Sequence, residues 1–154
     1  MKYLIKIALL AALFIGVFSQ CKKYPEGPMI SLRLKKERVA NTWKIDKLLI
    51  NNVDSAAYFS NIYKDYTINL TKSGSYSITY YVTIPLAGNV TNTESGTWSF
   101  TSNKDDLTLT PTSITYGNVP SPSTFQILKL YEKEMWVRKV DGNGKVTEYH
   151  LLPK

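Results

Sequence analysis

The chain carries few side chains that are suited to covalent or metal chemistry. It has one cysteine, Cys21, and one histidine, His150, among its 154 residues. One cysteine and one histidine are too few for a Cys/His zinc site or a disulfide framework. They would also leave no second cysteine or histidine beside a Cys–His nucleophile pair. Glu148 lies two residues from His150, but no serine-elbow sequence completes a hydrolytic triad. We therefore expect a protein that is not an enzyme and has no metal site and no cofactor.

Cys21 is more informative for its position than for its reactivity. Residues 1–20 read as a secretory signal, with Lys2 and Lys6 at its start and an apolar run over residues 7–18. A bilayer-spanning helix needs about 20 apolar residues, which this run does not reach. The sequence therefore predicts an exported chain.

The segment Phe18-Ser19-Gln20-Cys21 resembles the lipobox of bacterial lipoproteins. The resemblance implies cleavage before Cys21 and acylation of its thiol. A lone cysteine in an exported protein also favours this interpretation, because it has no disulfide partner; the alternative is a thiol that merely follows the signal. Each buried methylene contributes about 0.8 kcal/mol, so two or three acyl chains would anchor the protein in a membrane.

The positive charge of the chain is concentrated next to Cys21. Residues 21–38 carry six basic and two acidic groups, whereas residues 39–154 carry eleven basic and ten acidic groups. We expect no nucleic-acid partner, because a nucleic-acid-binding domain carries its positive charge on the folded surface. Basic residues 22–38 suit anionic lipid head groups, at about 1 kcal/mol for each Lys or Arg near the surface. A solvated basic linker is the alternative.

From Trp43 onward the apolar residues alternate with polar ones, which is typical of half-buried strands. Short connectors rich in turn-forming residues make successive strands antiparallel neighbours. The sequence therefore predicts an all-β fold, an antiparallel up-and-down meander of about eight strands that closes into a small barrel. A short helix beginning after Asp54 or Ser55 is expected in the first connection. The predicted strands are about 42–50, 65–71, 74–84, 93–101, 106–110, 124–131, 134–140 and 145–152.

A basic lead-in to Asn41-Thr42-Trp43, a long first connection and a meander to the C-terminus resemble the lipocalin-like domain of small Bacteroidetes-type lipoproteins. The resemblance covers residues 39–154. It implies a barrel whose first loop folds over the open end, and an arginine across Trp43, for which Arg138 is the candidate. A solvent-facing charge on its strand is the alternative for Arg138. It also implies a lipid-anchored protein of the cell envelope, in the outer membrane, on the periplasmic face or at the cell surface.

The lumen of an eight-stranded barrel is either filled by side chains or holds one small ligand. Inward tyrosine hydroxyls need partners, which implies water or a polar ligand atom unless each hydroxyl reaches the barrel end. The candidate ligand-binding residues are the inward aromatics Trp43, Tyr66, Tyr76, Tyr80, Trp98 and Phe100.

The first connection, residues 51–64, is the second candidate site. Its apolar side chains are too concentrated to be left in water, so they are expected to cover the barrel. A lid that opens and a helix that permanently plugs the barrel are both compatible with this pattern. The candidate lid residues are Tyr58, Phe59, Ile62 and Tyr63.

These expectations combine into two functional hypotheses. The first is a membrane-anchored envelope lipoprotein whose barrel binds a small apolar ligand. The alternative is a structural or interaction lipoprotein with a filled barrel that contacts another envelope component. An interior void of about 300 Å³ or more, lined by Trp98, Tyr76 and Tyr80, would favour the first hypothesis, whereas a solid core would contradict it.

Overall fold

The structure is a computed structural model that describes residues 33–85 and 88–154. The predicted signal over residues 1–20, the acylation of Cys21 and the tether over residues 22–32 lie outside the described residues.

The described chain forms one antiparallel sheet that closes on itself. Strands β1 and β3 to β9 follow one another in sequence order, and β9 pairs with β1. This eight-stranded barrel confirms the predicted all-β meander. The bounds are β1 (Thr42–Ile50), β2 (Val53–Asp54), β3 (Lys64–Leu70), β4 (Ser75–Ile84), β5 (Gly88–Phe100), β6 (Asp106–Ile114), β7 (Ser123–Leu130), β8 (Met135–Val140) and β9 (Val146–Pro153).

The extra strand β2 is a two-residue addition to the edge of β1. Leu49 pairs with Asp54 and Ile50 with Val53. The sequence prediction did not include this strand, because two residues are too few to show an alternating pattern.

Alternation sends one side chain in two into the lumen. Along β4, Tyr76 and Ile78 are buried and join a core to which the other strands contribute. Burial of this apolar face stabilises the barrel by about 25 cal/mol for each Å² removed from water. The buried core consists of Val39, Trp43, Leu70, Tyr76, Ile78, Trp98, Leu107, Leu109, Ile127, Leu130, Met135, Val137 and Leu151.

A short helix covers the end of the barrel at which β1 begins, which we call the closed end. This helix, α1 (Lys35–Val39), is followed by Trp43, whose Nε1 donates a hydrogen bond to the Val39 carbonyl at 2.9 Å. The buried Arg38 guanidinium donates to the Leu130 carbonyl at 2.5 Å. The sequence prediction treated residues up to 38 as tether and missed this helix, because five residues are too few to show helical periodicity.

The arginine expected across Trp43 is elsewhere. Arg138 lies on the outer face of β8, where its guanidinium forms an ion pair with Glu148 at 3.0 Å. Alternation explains this placement, because its neighbour Val137 is the residue that faces the core. The buried arginine at the closed end is Arg38.

The predicted helix in the first connection is present as α2 (Ala56–Ile62). The Asp54 carboxylate accepts a hydrogen bond from the Ala56 N–H at 3.0 Å, and the Ser55 N–H donates to the Leu48 carbonyl at 2.7 Å. Because the strands are antiparallel, α2 lies at the same end as the connections after β6 and β8. We call this end the open end.

Strand β6 continues through Pro111 to Ile114, beyond the predicted end at residue 110. Proline lacks the N–H that a central strand uses, so it reads as a strand breaker. Here Pro111 lies opposite Gly96, at a register shift between Ser95 and Gly96. A β-bulge thus accommodates the proline.

Replacement of Gly96 by alanine is expected to destabilise the barrel. A Cβ atom at this position would collide with the Thr110 carbonyl oxygen and lie 2.8 Å from the Pro111 Cα. Overpacking against backbone should lower the free energy of unfolding by about 1–3 kcal/mol. Gly142→Ala is the control, because no atom lies within 4 Å of its Cβ position. Equal denaturation midpoints for the two variants would contradict this explanation.

Candidate functional site

Four aromatic rings meet at the open end of the barrel. Phe59 and Tyr63 come from α2 and its C-terminal cap, Tyr66 from β3 and Tyr80 from β4. The Tyr63 ring meets Tyr80 edge-on at 5.2 Å between centroids, and Tyr66 stacks on Tyr80 at 5.6 Å. Phe59 lies 5.0 Å from Tyr66. Two candidate lid residues therefore contact two candidate lumen residues.

The other two candidate lid residues face away from the barrel. The Tyr58 residue is 72% exposed and Ile62 is 40% exposed. Residues four apart share one face of a helix, so Tyr58 and Ile62 lie together on the solvent side while Phe59 and Tyr63 lie together against the barrel.

The remaining candidate lumen aromatics pack toward the closed end. Trp43 is fully buried beneath α1. Trp98 donates its Nε1 hydrogen to the Thr71 carbonyl at 2.9 Å and meets Phe100 edge-on at 5.5 Å. These rings fill the lumen near the closed end and form part of the structural core.

Two inward tyrosines have protein partners that the sequence analysis did not assign. The Tyr76 hydroxyl donates to Glu94 Oε1 at 2.6 Å, and the Asn92 amide donates to the Tyr80 hydroxyl at 2.9 Å. Burial raises the pKa of both phenols. Asn92 shares the inward parity of Trp98 along β5, which is the signal that would have identified it.

A cavity of about 70 Å³ remains in the middle of the lumen. Tyr66 and Tyr149 are the two lining residues that carry a polar side-chain group, and burial raises the pKa of both phenols. This volume is well below the 300 Å³ of a typical small-molecule site, so side chains fill most of the lumen. The cavity is lined by Tyr66, Ile68, Leu70, Ile78, Leu107, Leu109, Phe125, Met135, Val137, Tyr149 and Leu151.

A larger cleft of about 390 Å³ opens where β1 and β3 separate. The two strands pair only from Thr42 to Lys44, and α2 lies across the gap beyond. Tyr66 lines both the cleft and the lumen cavity. The cleft is lined by Lys44, Ile45, Asp46, Ala56, Ala57, Phe59, Ser60, Tyr63, Asp65, Tyr66, Thr67 and Lys154.

The cleft wall combines aromatic and charged groups. Phe59, Tyr63 and Tyr66 supply rings, whereas Asp46 and Asp65 supply carboxylates. A ligand here would bury apolar surface against the rings and keep polar groups toward the charged rim. Sequence reasoning could not locate this cleft, because it depends on how far the pairing of β1 with β3 extends.

His150 belongs to a cluster on the outer wall. Its ring stacks on Trp136 at 3.9 Å between centroids, and its Nε2 lies 2.7 Å from Glu148 Oε1. Burial favours a higher pKa for Glu148, but hydrogen bonds from His150 and Arg138 outweigh it and lower the pKa. The arrangement supports the wall, away from the cleft.

Comparison with known proteins does not assign a family. No protein-family model matches the chain, and no curated protein matches it either. In residues 33–85 and 88–154, no helix has the length and apolar character needed to cross a membrane. The geometry of the cleft and the cavity therefore carries the functional argument.

Phe59→Ala should destabilise the protein more than Tyr58→Ala. Loss of the Phe59 ring removes contacts with Tyr63 and Tyr66, at a cost of about 2 kcal/mol in the free energy of unfolding. The neighbouring Tyr58 is exposed, so its loss should change this value by less than about 0.5 kcal/mol. Chemical denaturation of both variants measures the difference. Equal losses would show that the ring cluster does not hold α2.

Proposed function

We propose that this protein is a non-enzymatic, membrane-anchored envelope lipoprotein whose lipocalin-like barrel binds a small, largely apolar ligand. The observation that carries the proposal is the cleft of about 390 Å³ beneath α2, which shares Tyr66 with the lumen cavity. Its volume falls in the range of about 300–1,000 Å³ that small-molecule sites occupy.

The two voids suggest how a ligand would be divided between them. The lumen cavity of about 70 Å³ accepts only a few non-hydrogen atoms, whereas the cleft accepts a larger group. The bulk of the ligand would therefore lie against Phe59 and Tyr63, with one end past Tyr66 in the lumen.

The helix α2 suits the role of a lid. It has seven residues, and helices this short depend on tertiary packing for their stability. Phe59 and Tyr63 supply its ring contacts with the barrel. A shift of α2 away from Tyr66 and Tyr80 would widen the cleft and join it to the cavity.

The lipoprotein assignment rests on the sequence. The segment Phe18-Ser19-Gln20-Cys21 supports acylation, and the basic residues 22–38 support contact with anionic lipids. The described chain begins at the closed end with Arg33 and α1. An anchor at Cys21 would therefore attach to the end of the barrel opposite α2.

The ligand hypothesis predicts a small molecule that copurifies with the protein. Native mass spectrometry of the 22–154 fragment, purified from its own host, should show an adduct that is lost on denaturation. Addition of lipids to the free protein should change its tyrosine fluorescence, because Tyr63 and Tyr66 line the cleft. Absence of both signals would contradict ligand binding and favour a filled barrel.

The anchor hypothesis predicts that Cys21→Ala releases the protein from membranes. Without the thiol no acyl chain can be attached, and the basic residues alone hold the chain weakly. Membrane fractionation and mass measurement of the mature protein test this, with Ser19→Ala as a control that keeps the thiol. Retention of Cys21→Ala in the membrane fraction would refute lipidation as the anchor.

A second candidate function is contact with another envelope component. The open end carries a group of exposed apolar side chains, and such groups often mark interaction surfaces. They come from β2, α2, the end of β4, the β6–β7 connection and the end of β8. The group consists of Val53, Tyr58, Ile62, Ile84, Tyr116, Val119 and Val140.

A further inference from the structure

Two phenol hydroxyls on the lumen cavity lack hydrogen-bond partners. Tyr76 and Tyr80 bond to Glu94 and Asn92, whereas the hydroxyls of Tyr66 and Tyr149 bond to none of the residues that the structure describes. Neither hydroxyl is sealed off from accessible space, so a water molecule or a ligand can form the missing hydrogen bond.

Both hydroxyls are able to donate a hydrogen bond to a group in the cavity. Burial raises the pKa of Tyr66 and Tyr149, and the proximity of Tyr149 raises the pKa of Tyr66 further. Both phenols are therefore protonated and neutral at physiological pH. The other cavity-lining side chains are apolar, so these two hydroxyls are the polar side-chain groups of its wall.

We propose that Tyr66 and Tyr149 donate hydrogen bonds to a neutral carbonyl oxygen at the end of an otherwise apolar ligand, such as a ketone or an ester. This inference rests on the proposed ligand binding and names the class of ligand. The carbonyl lies in the lumen cavity, and the apolar remainder lies in the cleft beyond Tyr66.

The surroundings disfavour a charged head group in the cavity. The negative charge of Glu94 acts on the Tyr66 hydroxyl, and the same charge would repel a carboxylate placed there. A carboxylate would also need a cation as its partner. The ammonium group near the cavity-lining Phe125 ring belongs to Lys139, and it already donates a hydrogen bond to the Ser123 hydroxyl at 2.8 Å. The phenol oxygens could accept hydrogen bonds from an ammonium ligand, but the rest of the wall is apolar and no carboxylate lines the cavity to pair with the ligand's charge.

The cavity volume agrees with a terminal carbonyl. The cavity of about 70 Å³ has room for a few water molecules or for a carbonyl with its adjacent methyl group. Waters alone would also satisfy both hydroxyls. The experiment must therefore separate a carbonyl from water.

Three probes with the same chain length and different head groups provide the test. The full-length chain in detergent is titrated with 2-octanone, octylammonium or octanoate, with empty micelles as the blank, and binding is followed by saturation-transfer NMR. We expect 2-octanone to bind at least about fivefold more tightly than either charged probe, because its head group accepts hydrogen bonds from the two hydroxyls without the cost of burying a charge in an apolar cavity.

Phenylalanine variants assign the effect to the two hydroxyls. Tyr66→Phe and Tyr149→Phe should each weaken 2-octanone binding about fivefold, the loss of one hydrogen bond. Tyr81→Phe is the matched control, because Tyr81 is exposed on the outer face of β4. Thermal unfolding of each variant verifies that it folds.

The outcomes separate this inference from the proposed function. If none of the three probes binds, ligand binding itself fails, and the inference fails with it. If a charged probe binds as tightly as 2-octanone, or if both Phe variants bind 2-octanone as the unmodified chain does, the carbonyl inference is overturned while ligand binding stands. If a variant does not fold, the comparison of the three probes on the unmodified chain still tests the inference.

Discussion

The pairing of β1 with β9 is the constraint on which the rest of the structure depends. The register runs from Trp43 opposite Pro153 to Ile50 opposite Thr147. This pairing joins the first and last strands, so the sheet has one inner face that is closed off from water. The inward aromatics form a lumen only because of this closure, and in an open sheet the same side chains would lie on an exposed apolar face.

The closure also explains where the cleft lies. Strand β1 follows β9 along its length, with a register shift between Ile45 and Lys47, but it follows β3 for only three residues. A register shift of this kind bends a strand, so β1 separates from β3 after Lys44, toward the open end. Helix α2 occupies the gap, and its rings cover Tyr66 and Tyr80. A second register shift lies in β3 between Lys64 and Thr67, so irregularities in both strands flank the cleft.

Alternation along the chain was enough to predict the barrel. Strand β4 was predicted over residues 74–84 and runs from Ser75 to Ile84, because its alternation is unbroken. Features that depend on tertiary structure could not be predicted from this alternation. Pro111 continues β6 only because a bulge opposite Gly96 accommodates it. The helix α1 was missed, since its stability comes from packing against the barrel.

The site was predictable in composition rather than in geometry. The aromatic residues of the first connection were recognised, but which of them face the barrel depends on where α2 begins. The partners of the inward tyrosines come from strands that are distant in sequence, so the unpaired hydroxyls of Tyr66 and Tyr149 emerge only from the fold.

Segment-resolved hydrogen–deuterium exchange on the full-length chain tests the closure most directly. If β1 and β9 pair as described, the amides of Val146–Pro153 and those amides of Thr42–Ile50 that bond to β9 should exchange as slowly as those of Ser75–Ile84. Exchange of both terminal strands within minutes, as unpaired edges show, would mean an open sheet and would contradict the barrel, its lumen and its cleft.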